Sequence, residues 1–124
     1  MVIDTNIILR YLLEDNPEQL DQATSIIESG DLILLDDVVI MECIYILTGV
    51  YKMTKSQSST AISLFLKRKQ IIYDSKLAWQ YLGIYSDYNL DLADCYLITL
   101  AIKTKQELKT FDKQMLKTYQ KLSI

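Results

Sequence analysis

Three acids in this chain stand in apolar company. Glu42 is the only charged side chain within residues 38–47, and Asp94 is the only one within residues 92–102. Asp4 follows the apolar Met1-Val2-Ile3 and precedes, after Thr5-Asn6, the apolar Ile7-Ile8-Leu9. An ionised carboxylate moved into an apolar interior without a partner costs many kcal/mol, so it must be paired, protonated or bound to a metal. Cationic partners are scarce nearby, because Arg10 is the only base among the first fifty residues. A shared divalent cation holds such acids together with the fewest additional groups. Carboxylate oxygens are hard donors and suit Mg²⁺ or Mn²⁺ better than zinc.

The residues that are missing narrow the chemistry further. The chain has no histidine, which removes Ser-His-Asp and Cys-His nucleophile systems, His-based zinc sites and any histidine general base. Two cysteines, Cys43 and Cys95, are too few for a four-cysteine zinc site and read as reduced, small core residues. Three glycines, at positions 30, 49 and 83, are too dispersed for a phosphate-cradling loop. Carboxylates, hydroxyls, lysines and metal ions remain for catalysis.

Each acid also has an ordinary structural reading. A single Glu in an apolar helix is usually at a solvent window, which suits Glu42 taken alone. Asp4 suits the N-cap of a following helix, and Asp112 the cap of the last one. Asp91 reads as another N-cap, with Asp94 as a first-turn acid that complements the helix dipole. These readings hold one at a time; their conjunction is harder to dismiss.

The acids must be positioned by a fold. With 124 residues, half of them apolar, the chain is long enough for one domain, residues 1–124, with its own core. No repeat, low-complexity tract or linker marks an internal boundary. No apolar run reaches ~18 residues and no leader pattern opens the chain, so no membrane span and a cytoplasmic location are expected. Short β-like runs at 1–3, 32–35, 71–73 and 107–111 alternate with longer helical patterns. Helices are expected from residue 7 to 13, from Asn16-Pro17 to Gly30, from Asp36 or Asp37 to about 51, and over 55–69. Further helices are expected from Asp74 or Ser75 to 85, from Asp91 to about 103, and over 113–119, with residues 122–124 as a short edge strand. Such alternation implies βαβ units and a parallel sheet with helices on its faces. Ligands of open parallel sheets bind at the carboxyl ends of the strands. Asp4 and Asp112 each end an expected strand, and Glu42 lies early in the helix after the second one. Asp91 and Asp94 share one helical face, about 5–6 Å apart at Cβ.

Taken together, four motifs resemble those of a known family. Asp4-Thr5-Asn6 after the first strand, Glu42 in an apolar helix, Leu90-Asp91-Leu92-Ala93-Asp94 opening a later helix and Thr110-Phe111-Asp112 late in the chain resemble the PIN domain. Length and N-terminal pattern most resemble the VapC-like toxins of toxin–antitoxin pairs, and the resemblance runs through essentially the whole chain in order. It implies a three-layer α/β/α sandwich around a central parallel sheet of four to five short strands. It also implies a ribonuclease dependent on one or two Mg²⁺ or Mn²⁺ ions, leaving a 5′-phosphate and a 3′-hydroxyl. Carried across by position, Asp4, Glu42, Asp94 and Asp112 would form the acidic catalytic and metal-binding set. Asp91 would be an auxiliary ligand, Thr5 and Asn6 would orient Asp4 or a bound water, and Thr110 would support Asp112. An RNA substrate, a cognate antitoxin docking among the first helices and a homodimer follow from the same resemblance. Where the family often has small residues after the third acid, Cys95, Tyr96 and Leu97 stand here.

Charge is unevenly distributed. Residues 1–50 carry one base against ten acids, and residues 51–124 carry twelve bases against six acids. Lys113, Lys117 and Lys121 recur every four residues and, with Lys103, Lys105 and Lys109, suit either a phosphate backbone or a solvated helix face. Competing classes fit less well. A phospho-accepting receiver needs its acidic pair after the first strand, whereas Asp36-Asp37 follows the second. A phosphatase of the haloacid-dehalogenase type needs Asp at position 6, which is Asn. A free-standing PIN nuclease of RNA processing and a catalytically silent module of the same fold are the remaining alternatives.

Overall fold

The early helices begin where a short polar side chain satisfies backbone N–H groups that the helix itself cannot. In the computed structural model, which describes residues 1–124, α1 (Thr5–Leu13) follows Asp4 and α2 (Pro17–Ile27) follows Asn16. The Asn16 side chain accepts from the Gln19 N–H at 3.1 Å, and Pro17 takes the first helical position, where its missing N–H costs nothing. α3 (Asp37–Gly49) is capped by Asp36, which accepts from the Val38 N–H at 2.9 Å. α4 (Lys55–Leu66) opens with a reciprocal box. The Thr54 hydroxyl accepts from the Gln57 N–H, and the Gln57 side chain accepts from the Thr54 N–H.

These helices belong to the first of two compact units, Met1–Asp74 and Ser75–Ile124. In the first unit, β1 (Ile33–Leu34) and β2 (Ile71–Ile72) pair in parallel, and Val2 adds an isolated parallel bridge to Leu34. The β1–α3–α4–β2 order is the crossover connection that parallel pairing requires. Side chains alternate across the pleat. Ile3, Ile33, Leu35 and Ile71 are buried, whereas Val2, Leu34 and Ile72 are exposed. α1 packs against α2 and α3, and α3 against α4, around Ile8, Leu9, Ile27, Ile40, Ile44, Leu47 and Phe65. Arg10, near the end of α1, donates to Asp15 at 2.7 Å and to the Tyr51 hydroxyl at 2.8 Å, and that hydroxyl donates to Asp15 at 3.3 Å. This triangle fixes the end of α1 to the segment that follows α3.

The second unit is helical: α5 (Ser75–Asp87), α6 (Leu92–Thr104) and α7 (Lys113–Leu122), with α6 packed against both others. Tyr81 is fully buried and meets Tyr96 edge to face at 5.6 Å. Met115 and Thr118 are buried and Leu122 half-buried, an i, i+3, i+7 stripe that carries α7 through Leu122. No helix is long and apolar enough to cross a membrane.

Three expectations about strands are corrected. The sheet has two strands and one bridge rather than four to five strands, and 107–111 forms no strand. In 107–111, Glu107, Lys109 and Phe111 are exposed and only Leu108 and Thr110 are half-buried, so the segment has too little apolar surface to anchor a ladder. The edge strand expected at 122–124 is also absent. Leu122 ends α7, Ser123 caps it and Ile124 is exposed.

Candidate active site

In the first unit, Asp4 sits between the buried Ile3 and the buried Thr5, in extended backbone. Its carboxylate accepts from the Asn6 N–H at 3.1 Å and the Ile7 N–H at 3.3 Å. Asn6 thus holds Asp4 through its backbone, and Oδ1 is the only oxygen those bonds use. Glu42 lies in the second turn of α3 and is exposed. Of the two readings of Glu42, the solvent window holds and the apolar interior is corrected. Its helical neighbours Val38 and Tyr45 are themselves exposed, at 63% and 46%, so an apolar stretch of sequence forms a solvent-facing strip. Next to it, Cys43 is buried, and burial pushes its thiol up to about 12, with a further push from the Glu42 charge. A buried thiol that stays protonated is a poor nucleophile at neutral pH.

The second unit holds its acids differently. Asp91 occupies the N-cap of α6, yet its carboxylate makes no capping bond; only its backbone carbonyl is engaged, by the Cys95 N–H at 3.1 Å. Asp94, in the first turn of α6, is half-buried. Its carboxyl is held above the ordinary carboxylate range, first by loss of solvent and then by the negative charges of Asp91 and Asp112. The structure therefore brings Asp91, Asp94 and Asp112 within electrostatic reach of one another. Asp112 caps α7, accepting from the Met115 N–H at 3.0 Å. Its own N–H donates to the Thr110 hydroxyl at 3.0 Å, so Thr110 fixes the backbone from which the Asp112 side chain projects.

No group of three or more Asp, Glu, Cys or His side chains is arranged to cage a metal ion. The donor chemistry nevertheless fits one class of ion. All the candidate ligands are carboxylates, one of them is left unused by the helix it caps, and another is destabilised in its ionised form by its neighbours. Mg²⁺ binds in this manner, through one or two carboxylates while keeping several waters, and does not need an all-protein cage. A cation there would lower the repulsion around Asp94 directly.

Sequence reasoning passed over Phe111, which is fully exposed between Thr110 and Asp112. The signal was present in the pattern, since Lys109, Thr110, Asp112 and Lys113 around it offer no apolar stripe to bury an aromatic ring.

Comparison with known proteins gives one match. A family model described as PIN domain covers residues 1–121. Neither a curated protein nor a solved structure matches the chain significantly.

Proposed function

The chain belongs to the PIN domain family, and from that premise we propose that it is a metal-dependent endoribonuclease. The observation that carries the reading is the electrostatic grouping of Asp91, Asp94 and Asp112, with Asp94 pushed up by burial and by the other two. Asp94 is half-buried and Asp91 and Asp112 are exposed, and a divalent cation would neutralise their mutual repulsion. Asp94 and Asp112 would hold the ion with Asp91 as an auxiliary ligand; Asp4 and Glu42 are the remaining acids of the family pattern.

When bound, Mg²⁺ or Mn²⁺ supplies Lewis acidity toward a phosphodiester and lowers the pKa of a coordinated water, so no histidine base is needed. The protein's own part is positional. Thr110 and the start of α7 hold Asp112, and the Asn6 and Ile7 N–H groups hold one oxygen of Asp4 and leave the other for a ligand. The α1–α2 face carries an open groove of about 420 Å³ lined by Tyr11, Leu12, Leu20, Thr24 and Arg68 among others. Its mixed apolar and charged lining supports the finer reading of a VapC-like toxin that receives an antitoxin segment there. A homodimer belongs to that same finer reading.

Purified protein should cleave RNA with Mg²⁺ or Mn²⁺, stop on chelation, and lose about a hundredfold or more of its rate in Asp94→Asn. Equal cleavage by Asp94→Asn and the unaltered protein would mean that the activity comes from elsewhere.

A further inference from the structure

An exposed aromatic ring ordinarily forgoes the burial that makes phenylalanine useful to a fold. Phe111 is nevertheless fully exposed, and it is presented on a fixed segment rather than a loose one. On its carboxyl side the Asp112 N–H is bonded to the Thr110 hydroxyl, and the Asp112 carboxylate caps α7 through Met115. The ring therefore projects from the residue next to a candidate metal ligand, beside a backbone position, Asp112, that is held by two hydrogen bonds.

On one side of the ring lie the mutually repelling acids Asp91, Asp94 and Asp112; the chain that follows Asp94 is rich in lysine. Between residues 95 and 124 there are six lysines and only two acids, Glu107 and Asp112. Lys113, Lys117 and Lys121 are exposed, and their i, i+4 spacing puts them along one face of α7 at a rise of about 6 Å each. Lys121 also lies over the Tyr88 ring, its Nζ 5.5 Å from the ring centre. Lys109 pairs with Glu107 at 2.9 Å, an exposed contact of small worth that a phosphate would readily replace. Protein interfaces are depleted in lysine, whereas grooves for single-stranded nucleic acid combine cations along the backbone with aromatic rings under the bases. A duplex hides its base faces, so a ring of this kind selects an unpaired strand.

We propose that Phe111 stacks on a base of single-stranded RNA while Lys113, Lys117 and Lys121 carry the adjoining backbone along α7. That the nucleic acid is RNA rests on the nuclease reading; the stacking contact stands on the exposure, rigidity and charge just described.

The test measures binding without turnover. In the Asp94→Asn protein, fluorescence anisotropy with a short labelled single-stranded RNA should show affinity falling about 5- to 100-fold on Phe111→Ala. Phe111→Trp should restore it, and Lys117→Ala should flatten the salt dependence by about one unit of slope. An RNA hairpin without unpaired bases should respond little to Phe111→Ala. Unchanged single-strand affinity in Phe111→Ala overturns the proposal, as does an equal loss on the hairpin. So does a change in oligomeric mass with RNA affinity intact, which makes the ring a protein contact. If the unaltered protein cleaves no RNA while the Phe111→Ala loss persists, the nuclease reading falls and the stacking contact stands. If cleavage is found but Phe111→Ala binds as well as its parent, the stacking contact alone falls.

Discussion

The starts of α1 and α6 look alike in sequence, an aspartate ahead of an apolar run, yet the two carboxylates are used in different ways. Asp4 accepts from two N–H groups of the helix that it opens, so its position has a structural explanation. Asp91 occupies the same place ahead of α6 and caps nothing with its side chain, and three residues later Asp94 is driven toward its neutral form. The difference separates two kinds of acid. A capping acid is stabilised by the fold, whereas an acid that is not capping and lies beside its own kind is tolerated at a cost. Groups of the second kind are what a cation would repair, and they concentrate in Ser75–Ile124.

The sharpest way to break this contrast is at Asp4, because capping and chemistry demand different things of it. Asn caps about as well as Asp. If Asp4 only caps, Asp4→Asn leaves cleavage unchanged; if it also serves the site, cleavage falls about a hundredfold or more with the melting temperature preserved. Asp4→Ala should then lose the activity and also about 1 kcal/mol of stability, read from chemical denaturation. An effect of comparable size is expected from the metal itself. Mn²⁺ at a free concentration a hundred times its Kd should stabilise the folded protein by about 2.7 kcal/mol, and Asp94→Asn should remove most of that shift. An equal thermal shift in both proteins would place the ion elsewhere. The smallest effect concerns pH without metal. Because the Asp94 carboxyl is raised, the folded chain binds more protons than the unfolded one from about pH 3.9 up to the raised value. Its contribution to stability therefore declines as pH rises through that window. Denaturant midpoints of Asp94→Asn should lack this decline, and identical pH profiles would remove the distinction between Asp94 and the capping acids.

Much of the helical framework was legible because it is written in local chemistry. Asn16-Pro17, Asp36, Thr54 with Gln57, and Asp112 each mark a helix start by a hydrogen bond that spans only three or four residues. What depended on distant packing was less legible. The apolar run around Glu42 reads as interior, yet Val38 and Tyr45 share its exposed face, because nothing local says which side of an all-apolar helix meets the core. The stretch 107–111 reads as a strand, but strand formation needs a partner and apolar surface to hold it there. For the candidate site, sequence supplied the acids and their order. It could not tell that Asp91 leaves its side chain unused at a helix start, since a cap is defined by a bond and not by a residue type. Phe111 reads only as the end of the expected 107–111 strand, although the polar residues around it offer no apolar stripe to bury its ring.

The cap at Asp4 also bears on how such a chain can change over generations. An aspartate codon becomes an asparagine codon by one transition, and the α1 start accepts either side chain. Folding, solubility and any surface used by a partner would pass through that change almost unaltered. If Asp4 serves the proposed site, its part in the chemistry would fall to its second oxygen, the one these capping bonds do not use. On the proposed reading, loss of chemistry with retention of shape would be a single mutational step away.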